Sequence, residues 1–574
     1  MRRNIDRIGS QLIFLSTTLF FGIHAGAAFA QEAPPSRSIP DITAPDQPDG
    51  DEQLLLQKPG GAIGPKGADS LFVTLDKVVV EGGLAGFDEE VGTLTASVEK
   101  RRVSVEDLYK VAAQIEARYH NAGYILSRVT IPPQELEDGA TMRINVVRGF
   151  IESIDDTNLP ERVRRAIGKY ARSLIGERGL TLKQIERRLL LASRVPGVAL
   201  KSAIAPGEQV GGARLILTAD WRPVGVGVST DNELSDAFDR WKFDGRISLN
   251  SVLGAGEQVY GFASTASDFD YFGGEPLRRI LGAGVVVPIG DDGFSINPEY
   301  IRADINPRRQ GLAAPVESAF ERIAVRMRYP LILTRSETLS VYGSFELAEE
   351  TQNLRDLGFT ISKDSLRYFT LGADWRRPFT DRGVFGGDVL ITKGVDGFGA
   401  RTQDDATASG IPLSRAAAEA DFSTLKASAL FQYALNDMAQ TSLRLRGQTT
   451  LSGALPSVGQ FSLDARDALS GFALGSLNVD HGYTARLEGA APDLVRSNTL
   501  KVSGSPYLFA AWGEGGLERP TALEEEQLEG WSLGGGMRAA LSTHASASLE
   551  VARSSASIFD EQDTRVTFQI GFQY

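Results

Sequence analysis

Cysteine is absent from this chain of 574 residues. That absence excludes disulfide bonds, thiolate nucleophiles and cysteine-ligated metal sites. Histidine is scarce, with four residues, and no HExxH motif or other pair of histidines occurs at metal-ligand spacing. The G-x-S-x-G motif of many hydrolases is missing as well. The composition therefore argues against an enzyme, and we expect neither a cofactor nor a bound metal.

Long apolar runs and an excess of basic residues are also lacking. Beyond the first thirty residues, no long apolar stretch is free of charges, so any membrane insertion of the mature chain requires a β-barrel. The net charge of −13 argues against a nucleic-acid partner, because phosphate binding needs a basic surface.

The N-terminus has the pattern of a secretory signal peptide over residues 1–30. Three arginines precede the apolar stretch Leu12–Ile23, and Ala28-Phe29-Ala30 is a small-x-small cleavage site. The stretch is shorter than the roughly 20 residues that a spanning helix needs. Residues 31–70 form a proline-rich linker. Its one apolar cluster, Leu54-Leu55-Leu56, is either a helical turn or an unstructured contact.

Residues 71–220 have the pattern of two small α+β domains in tandem, 71–150 and 151–220. In the first, Phe72–Val80 reads as a strand, and Val105–Tyr119 has helical spacing after the N-cap residue Ser104. Two further strands follow, and the second half repeats roughly the same order.

From residue 221 to 574, period-two alternation replaces helical spacing. Trp241, Phe243 and Ile247 alternate with polar residues, as do Leu487 and its neighbours and the terminal run to Tyr574. A soluble sandwich also alternates, but the run is long, and arginine recurs on its polar face. We predict a transmembrane antiparallel β-barrel of about sixteen strands. The lumen arginines are either a solvated wall or a cationic track for a polypeptide.

Ordered motifs in this chain resemble those of the TpsB family, the transporters of two-partner secretion (ShlB/FhaC/HecB type). That family belongs to the outer-membrane insertase superfamily, whose periplasmic modules are called POTRA domains. The matching segments are Tyr119-His120-Asn121-Ala122-Gly123-Tyr124, Ile131-Pro132-Pro133-Gln134, Arg148-Gly149-Phe150-Ile151, the run 185–191 and Pro196-Gly197-Val198. In the barrel, Gln460–Leu463 and Val479–Tyr483 resemble the entry and exit of a loop that folds into the lumen, here 450–481.

The chain departs from the family at that loop. The family's V-R-G-Y tetrad falls on Leu469, Ser470, Gly471 and Phe472, so the arginine position holds serine. Its partner motif F-x-D-x-G falls on Phe509, Ala511 and Gly513, so the aspartate position holds alanine. Losing both members of a buried pair can be nearly neutral, whereas losing one is costly. Arg466 or Glu514 is a hypothetical replacement for the missing charges.

The resemblance implies an outer-membrane translocation pore with its N-terminal domains in the periplasm. Its expected partners are a secreted, unfolded TpsA-like exoprotein, outer-membrane lipid and, during biogenesis, the barrel assembly machinery. A rival interpretation is an assembly or insertion factor of the same superfamily, and a weaker one is a diffusion porin.

The first module also offers a candidate site for an extended substrate segment. Such a segment could add a strand at an exposed sheet edge. The alternative is that this edge only packs on its neighbour. The expected groove lies between the predicted helix and the strand after it, lined by Leu108, Ile115, Tyr119, Ser127, Val129 and Ile131.

Overall fold

The structure is a computed structural model that describes residues 53–55, 64–310, 314–497, 502–521, 524–542, 544–559 and 562–574. Residues 53–55 and 495–497 are described by their backbone alone. The predicted signal peptide and most of the predicted linker lie outside the described residues.

The first module contains a three-stranded sheet of order β3-β6-β5, a separate β2–β4 pair and two helices. Strands β3 and β6 run parallel, and β5 runs antiparallel to β6. Strand β1 (Gln53–Leu55) precedes the module, whose elements are β2 (Phe72–Thr74), β3 (Lys77–Glu81), α1 (Asp88–Ala96), β4 (Arg102–Ser104), α2 (Val105–Asn121), β5 (Arg128–Thr130) and β6 (Thr141–Val147).

Helix α2 forms where the apolar spacing predicts it. The Ser104 hydroxyl accepts a hydrogen bond from the backbone N–H of Asp107, and the Asp107 carboxylate accepts one from the Ser104 backbone, which makes a capping box. Gly123 follows the helix with a φ of +95°, a conformation that glycine adopts without strain. The apolar face of α2 forms the module's core with β3, β5 and β6.

Two details of the first module differ from the sequence prediction. The single strand predicted over Phe72–Val80 is wrong, because the chain turns at Leu75 and Asp76. Strand β2 pairs with β4, whereas β3 pairs with β6. Helix α1 was not predicted from the sequence, and its signal is weak because Gly92 lies in its middle.

The second module packs two helices on a four-stranded sheet of order β1-β8-β9-β7. Residues 53–55 add a parallel strand to β8, with Gln53 opposite Lys201, so neither interpretation of the leucine cluster, a helical turn or an unstructured contact, is right. None of the described helices is long and apolar enough to cross a membrane. The module's elements are β7 (Phe150–Asn158), α3 (Glu161–Ala171), α4 (Leu182–Ser193), β8 (Val198–Pro206) and β9 (Gly212–Trp221).

The remaining chain forms a closed antiparallel barrel of sixteen strands, which confirms the predicted fold class. Strand β24 has three residues and, like β23, pairs with β25. It continues β23 along the same side of β25, so β23 and β24 are counted as one of the sixteen strands. A small hairpin, β21 (Phe461–Ser462) and β22 (Asn478–Val479), lies outside the barrel order. The barrel strands are β10 (Val224–Asp231), β11 (Lys242–Asn250), β12 (Gln258–Ala266), β13 (Arg278–Ile289), β14 (Phe294–Ile305), β15 (Val316–Leu333), β16 (Thr338–Leu354), β17 (Phe359–Thr380), β18 (Gly383–Gly394), β19 (Ser423–Asn436), β20 (Ala439–Thr450), β23 (His481–Ala490), β24 (Val495–Ser497), β25 (Val502–Gly516), β26 (Gln527–Ala540), β27 (Ala545–Ala556) and β28 (Asp563–Gln573).

The barrel closes between its first and last strands. Strand β10 pairs antiparallel with β28, from Gly227 opposite Gln573 to Asp231 opposite Gln569. Val226 and Tyr574 exchange two backbone hydrogen bonds of 2.8 and 3.0 Å at the start of this seam. We call the barrel end where β10 begins the module end, and the opposite end the far end.

The inner wall changes character along the barrel. On β14, the inward residues Ser295, Asn297 and Glu299 near the module end are polar, whereas Ile301 and Ile305 toward the far end are apolar. Loops from the far end cover these apolar positions with Leu234, Phe238, Phe422 and Leu455, which together with the wall form one buried cluster. We call this cluster the far-end cap.

Candidate functional site in the barrel lumen

The segment between β20 and β23, residues 451–480, folds back against the inner wall and is called the lumen loop. Its buried residues Phe461, Leu463, Leu469 and Val479 pack against the wall strands β25, β26 and β27 in one apolar cluster. The β21–β22 hairpin stiffens the loop where it enters and leaves. The loop therefore occupies part of the space that a transported chain would need.

The loop tip is Leu469–Phe472, and it contacts the wall through neutral groups. The Ser470 hydroxyl donates to a carboxylate oxygen of Glu550 and accepts from Arg486 Nη1 at 2.7 Å. The backbone N–H of Gly471 donates to Ser532 Oγ at 3.4 Å, and Ser554 Oγ donates to the Gly471 carbonyl at 3.2 Å. Leu469 is fully buried, and Phe472 stacks on Phe559 with 5.8 Å between ring centres.

The wall supplies both charges at the tip. Arg486 on β23 binds Glu550 on β27 at 2.8 Å, and its guanidinium lies 3.6 Å from the centre of the Phe509 ring. Ala511 lies directly opposite Arg486 in the β23–β25 pairing. An arginine thus stands beside the position where the family motif has an aspartate, and its carboxylate partner comes from another strand.

Gly513 belongs to the same contact. A Cβ at this position would lie 2.9 Å from Thr484 Cγ2 and 3.5 Å from Leu469 Cδ1. The missing side chain leaves room for Thr484, and Leu469 of the tip lies at van der Waals distance from the same position. Phe509, Ala511 and Gly513 therefore all line the wall against which the tip lies.

Arg466 and Glu514 do not pair with each other, so the hypothesis that either replaces the missing charges by pairing with the other is wrong. Arg466 binds Glu233 at 2.9 Å and also donates to Gln569. Glu514 is exposed on the outward face of β25. The residues that do hold charge at the tip, Arg486 and Glu550, were missed. In the sequence, each appears only as a polar residue on an alternating strand. The strand register is needed to show that the two side chains meet.

Other lumen arginines are paired as well. Arg322 and Arg326 bind Glu299 at 3.3 and 2.7 Å, and Arg538 binds Glu488. Arg444 and Arg446 bind Asp467 of the lumen loop at 2.8 and 3.2 Å. Each of these arginines has a carboxylate partner, so the lumen wall carries paired charges. A solvated wall and a mildly cationic track for a polypeptide both stay predictions.

A cavity of about 710 Å³ lies beneath the loop tip. The part of the cavity nearest the tip is lined by Ser470, Arg486, Glu488 and Glu550. The part toward the module end is lined by Ser505 and Ser546. Its wall is polar and carries both signs of charge. Among the described residues, no group of three or more His, Asp or Glu side chains is placed to hold a metal ion.

The residues of the candidate groove lie in the core of the first module. Leu108, Ile115, Tyr119, Ser127 and Val129 are each at most 2 % exposed. Ile131 is half-buried against the same cluster. These side chains therefore pack against one another and do not line an open groove.

The sheet edge at β5 is already occupied. The outward N–H of Val129 donates to Glu116 Oε2 of helix α2 at 2.8 Å. Arg128 binds the other oxygen of the same carboxylate at 3.3 Å. A side-chain carboxylate thus takes the place that the carbonyl of an incoming strand would take.

The second module is fixed to the module end of the barrel by helix α4. Arg187 donates to the Pro330 carbonyl at 2.9 Å and binds Asp292 at 3.3 Å, and Arg188 donates to the Asp291 carbonyl at 2.7 Å. Burial alone would raise the pKa of Asp292, but hydrogen bonds from Tyr329 and Arg187 outweigh burial and hold that pKa below its usual range. Burial raises the pKa of Tyr170 on α3 to about 12.

The chain matches two family models. Residues 211–537 match the haemolysin secretion/activation protein family ShlB/FhaC/HecB. Residues 73–149 match the ShlB-type POTRA domain. The first match covers more than half of the chain and includes the lumen loop and most of the barrel.

Individual relatives are more distant. The heme/hemopexin transporter protein HuxB of Haemophilus influenzae is 25 % identical over 30 % of each chain. The outer membrane transporter CdiB of Dickeya dadantii is 24 % identical over 66 % of this chain and 65 % of its own. The matched part thus spans less than two thirds of either relative.

Among solved structures, CdiB from Escherichia coli has the same fold. The two structures superpose with a TM-score of 0.69 at 20 % identity, over 95 % of this chain and 94 % of CdiB. Since the family model matches more than half of the sequence, this chain belongs to the haemolysin secretion/activation family ShlB/FhaC/HecB.

Proposed function

We propose that this protein is a pore that passes an unfolded partner exoprotein from the periplasm to the cell surface. The barrel lies in the outer membrane, with the two modules on its periplasmic side. The module end is then the entrance and the far end the exit. The proposal includes export by a signal peptide over residues 1–30 and a second POTRA domain over residues 151–220.

One observation carries this proposal: the lumen holds a folded loop whose tip contributes only hydroxyl, backbone and apolar contacts to the wall. The ion pairs of the loop beside the tip, Asp467–Arg444 and Arg466–Glu233, are partly exposed, and exposed ion pairs and single hydrogen bonds can break and re-form at low cost. The names of its relatives agree with this role, including the outer membrane transporter CdiB and the hemolysin transporter protein ShlB.

The polar cavity below the tip suits the passage of an unfolded chain. Its paired charges offer many weak contacts and no single strong site, and conduction requires release as well as entry. No nucleotide is available outside the inner membrane, so folding of the cargo at the surface would give the direction. The proposal needs no catalytic residue and no cofactor.

A receptor role for the first module requires a small rearrangement. An extended cargo segment that pairs with β5 must displace Glu116 from the Val129 N–H. Outer-membrane lipid around the barrel and the assembly machinery that inserts it complete the set of proposed partners.

The test is deletion of this protein in its own host. The cargo to follow would be a large secreted repeat protein, sought first in the neighbouring reading frame. We expect the cargo to lose protease accessibility at the surface and to accumulate in the periplasm, and the intact chain supplied from a plasmid should restore display. Normal surface display in the deletion strain would refute the proposal.

The two rival functions give different results in the same strain. An assembly factor would lower the levels of many outer-membrane proteins on depletion, whereas the proposal expects them unchanged. A diffusion porin would show a wide and steady conductance in planar bilayers. The far-end cap argues against that behaviour, because apolar side chains fill the space over the inner wall there.

A further inference from the structure

The root of the lumen loop, where it returns to the barrel wall at the far end, is held by a fully buried ion pair. Arg415 Nη1 lies 2.8 and 2.6 Å from the two carboxylate oxygens of Asp480. The side chain of Arg415 is 5 % exposed and that of Asp480 is not exposed at all. Arg415 belongs to the far-end loop 395–422, which is distant in sequence from the lumen loop.

Further hydrogen bonds tie three segments together at this pair. Asp480 also accepts from the backbone N–H groups of Leu455 and Glu518, at 3.4 and 2.8 Å, and from Gln460 Nε2 at 3.2 Å. Arg415 also donates to the carbonyls of Leu455 and Glu518, each at 3.2 Å. The pair therefore joins both ends of the lumen loop to two far-end loops.

The root and the tip of the loop differ in what their release would leave behind. When the tip leaves the wall, Arg486 and Glu550 remain bound to each other. The ion pairs of the loop beside the tip, Asp467–Arg444 and Arg466–Glu233, would separate as well, but the side chains of Asp467 and Arg466 are already 39 % and 42 % exposed. When the root separates, the fully buried Asp480 loses its one ion-pair partner among the described residues, and Arg415 keeps only Glu524, at 3.4 Å. A buried charge that loses its partner is more costly than a broken hydrogen bond or a partly exposed ion pair.

We propose that the Arg415–Asp480 pair is a lock that fixes the root of the lumen loop, while the tip swings off the wall about this fixed root. Arg415 is then a positioning residue for transport that acts through the loop. The role of Arg415 in transport rests on the proposed function, but the attachment of the loop root is a property of the barrel without cargo. It can therefore be tested without any cargo.

The absence of cysteine allows single-cysteine reporters in the full-length protein. Ala473→Cys reports on the tip, and Ala454→Cys, beside Leu455 and 4 % exposed, reports on the root. The labelling rate with a polar maleimide is measured on the purified protein in lipid vesicles. Each reporter is combined with Ser470→Ala, with Asp480→Asn, and with the double variant Arg415→Met/Asp480→Asn.

We expect Ser470→Ala to raise labelling of the tip reporter about fivefold and to leave the root reporter unchanged. Asp480→Asn should raise labelling of the root reporter by on the order of 100-fold. The double variant removes both charges, so it should fold stably. Its root reporter should still be labelled faster than in the protein with the intact pair. The matched control is Asp236→Asn, which breaks the exposed Arg240–Asp236 pair in another far-end loop and should change neither rate.

Two results would overturn the inference. One is a root reporter that Ser470→Ala exposes as strongly as Asp480→Asn does, since the tip would then hold the whole loop. The other is full protection of the root reporter in the double variant, since the pair would then only fill space. If Asp480→Asn fails to fold, as judged by heat-modifiable migration of the barrel, the double variant decides alone. Loss of cargo secretion tests the proposed function separately.

Discussion

At the scale of single residues, the loop tip lacks the charged contact with the wall that the family resemblance implies, and an ion pair within the wall lies beside it. The family resemblance implies an arginine on the loop and an aspartate on the wall. In this chain both positions are neutral, at Ser470 and Ala511, and the wall carries the complete pair Arg486–Glu550. The tip therefore adds hydrogen bonds to an ion pair that exists without it.

Gly471 provides the sharpest residue-scale prediction. An added Cβ would lie 2.7 Å from both Cβ and Oγ of Ser554, closer than non-bonded atoms allow. We expect Gly471→Ala to weaken docking of the tip by about 1–3 kcal/mol, the usual cost of overpacking. Faster labelling of the Ala473→Cys reporter would show it.

The same contact supplies a rescue and a control. Ser554→Gly removes both clashing atoms but also the hydrogen bond to the Gly471 carbonyl, so it should slow labelling in the Gly471→Ala background without restoring the original rate completely. Gly489→Ala, where an added Cβ would meet nothing within 4 Å, should leave the rate unchanged. Fast labelling that Ser554→Gly does not reduce would contradict the steric explanation.

The sequence predicts part of this site for a physical reason. Motif spacing places Ser470 and Ala511 at the tip and on the wall, and it shows that the usual charges are missing. It cannot indicate Arg486 and Glu550, because they lie on strands 64 residues apart and meet only through the strand register. A shift of one residue in register would turn either side chain to the outer face.

At the scale of elements, helices were predicted where capping and apolar spacing agree. Helix α2 begins at a capping box and carries a clear apolar face, whereas α1 has no side-chain cap and was missed. The short strand β1 could not be foreseen, because its partner β8 lies almost 150 residues away in the chain.

The joint between helix α4 and the barrel yields an element-scale prediction. Arg187 contacts Asp292 and the Pro330 carbonyl, so Arg187→Ala should weaken the joint by about 2 kcal/mol. Spin labels at Arg165→Cys and Asp381→Cys should then give a broader distance distribution. Lys183→Ala, an exposed change on the same helix, is the matched control and should leave the distribution narrow.

The same joint should respond to acid. Because the pKa of Asp292 is lowered in the folded state, its contribution is complete above the ordinary aspartate pKa of about 3.9 and is lost as pH falls through the lowered value. We expect the spin-label distribution to broaden below about pH 4. In Asp292→Asn this step should be absent, and an identical acid response in that variant would assign the effect to other groups.

At the scale of the whole molecule, the barrel was predictable because one requirement acts on every strand. Each strand must face lipid on one side and the lumen on the other, so alternation appears along the whole region. The far-end cap breaks this pattern, since inward residues such as Ile301 and Ile305 are apolar under the loops. That exception marks where the lumen is filled by protein.

Closure of the barrel depends on a side chain that extends the seam. Beyond the end of β10, the Asn232 amide donates to the Val566 carbonyl at 2.9 Å and accepts from the Phe568 N–H at 2.7 Å, as a strand backbone would. Asn232→Ala removes both bonds and should lower the free energy of unfolding by about 2 kcal/mol. Urea unfolding of the barrel in detergent measures this loss.

A disulfide across the seam separates closure from general stability. Ser229 and Gly571 face each other, and a Cβ on Gly571 would lie 3.7 Å from that of Ser229, within the range for a disulfide. Oxidised Ser229→Cys/Gly571→Cys should therefore recover the stability lost in Asn232→Ala. It should not recover the loss in Asn306→Ala, which breaks a far-end contact with Pro276 away from the seam. Equal recovery in both variants would mean that the disulfide stabilises the barrel generally, and that Asn232 has no special part in holding the first strand to the last.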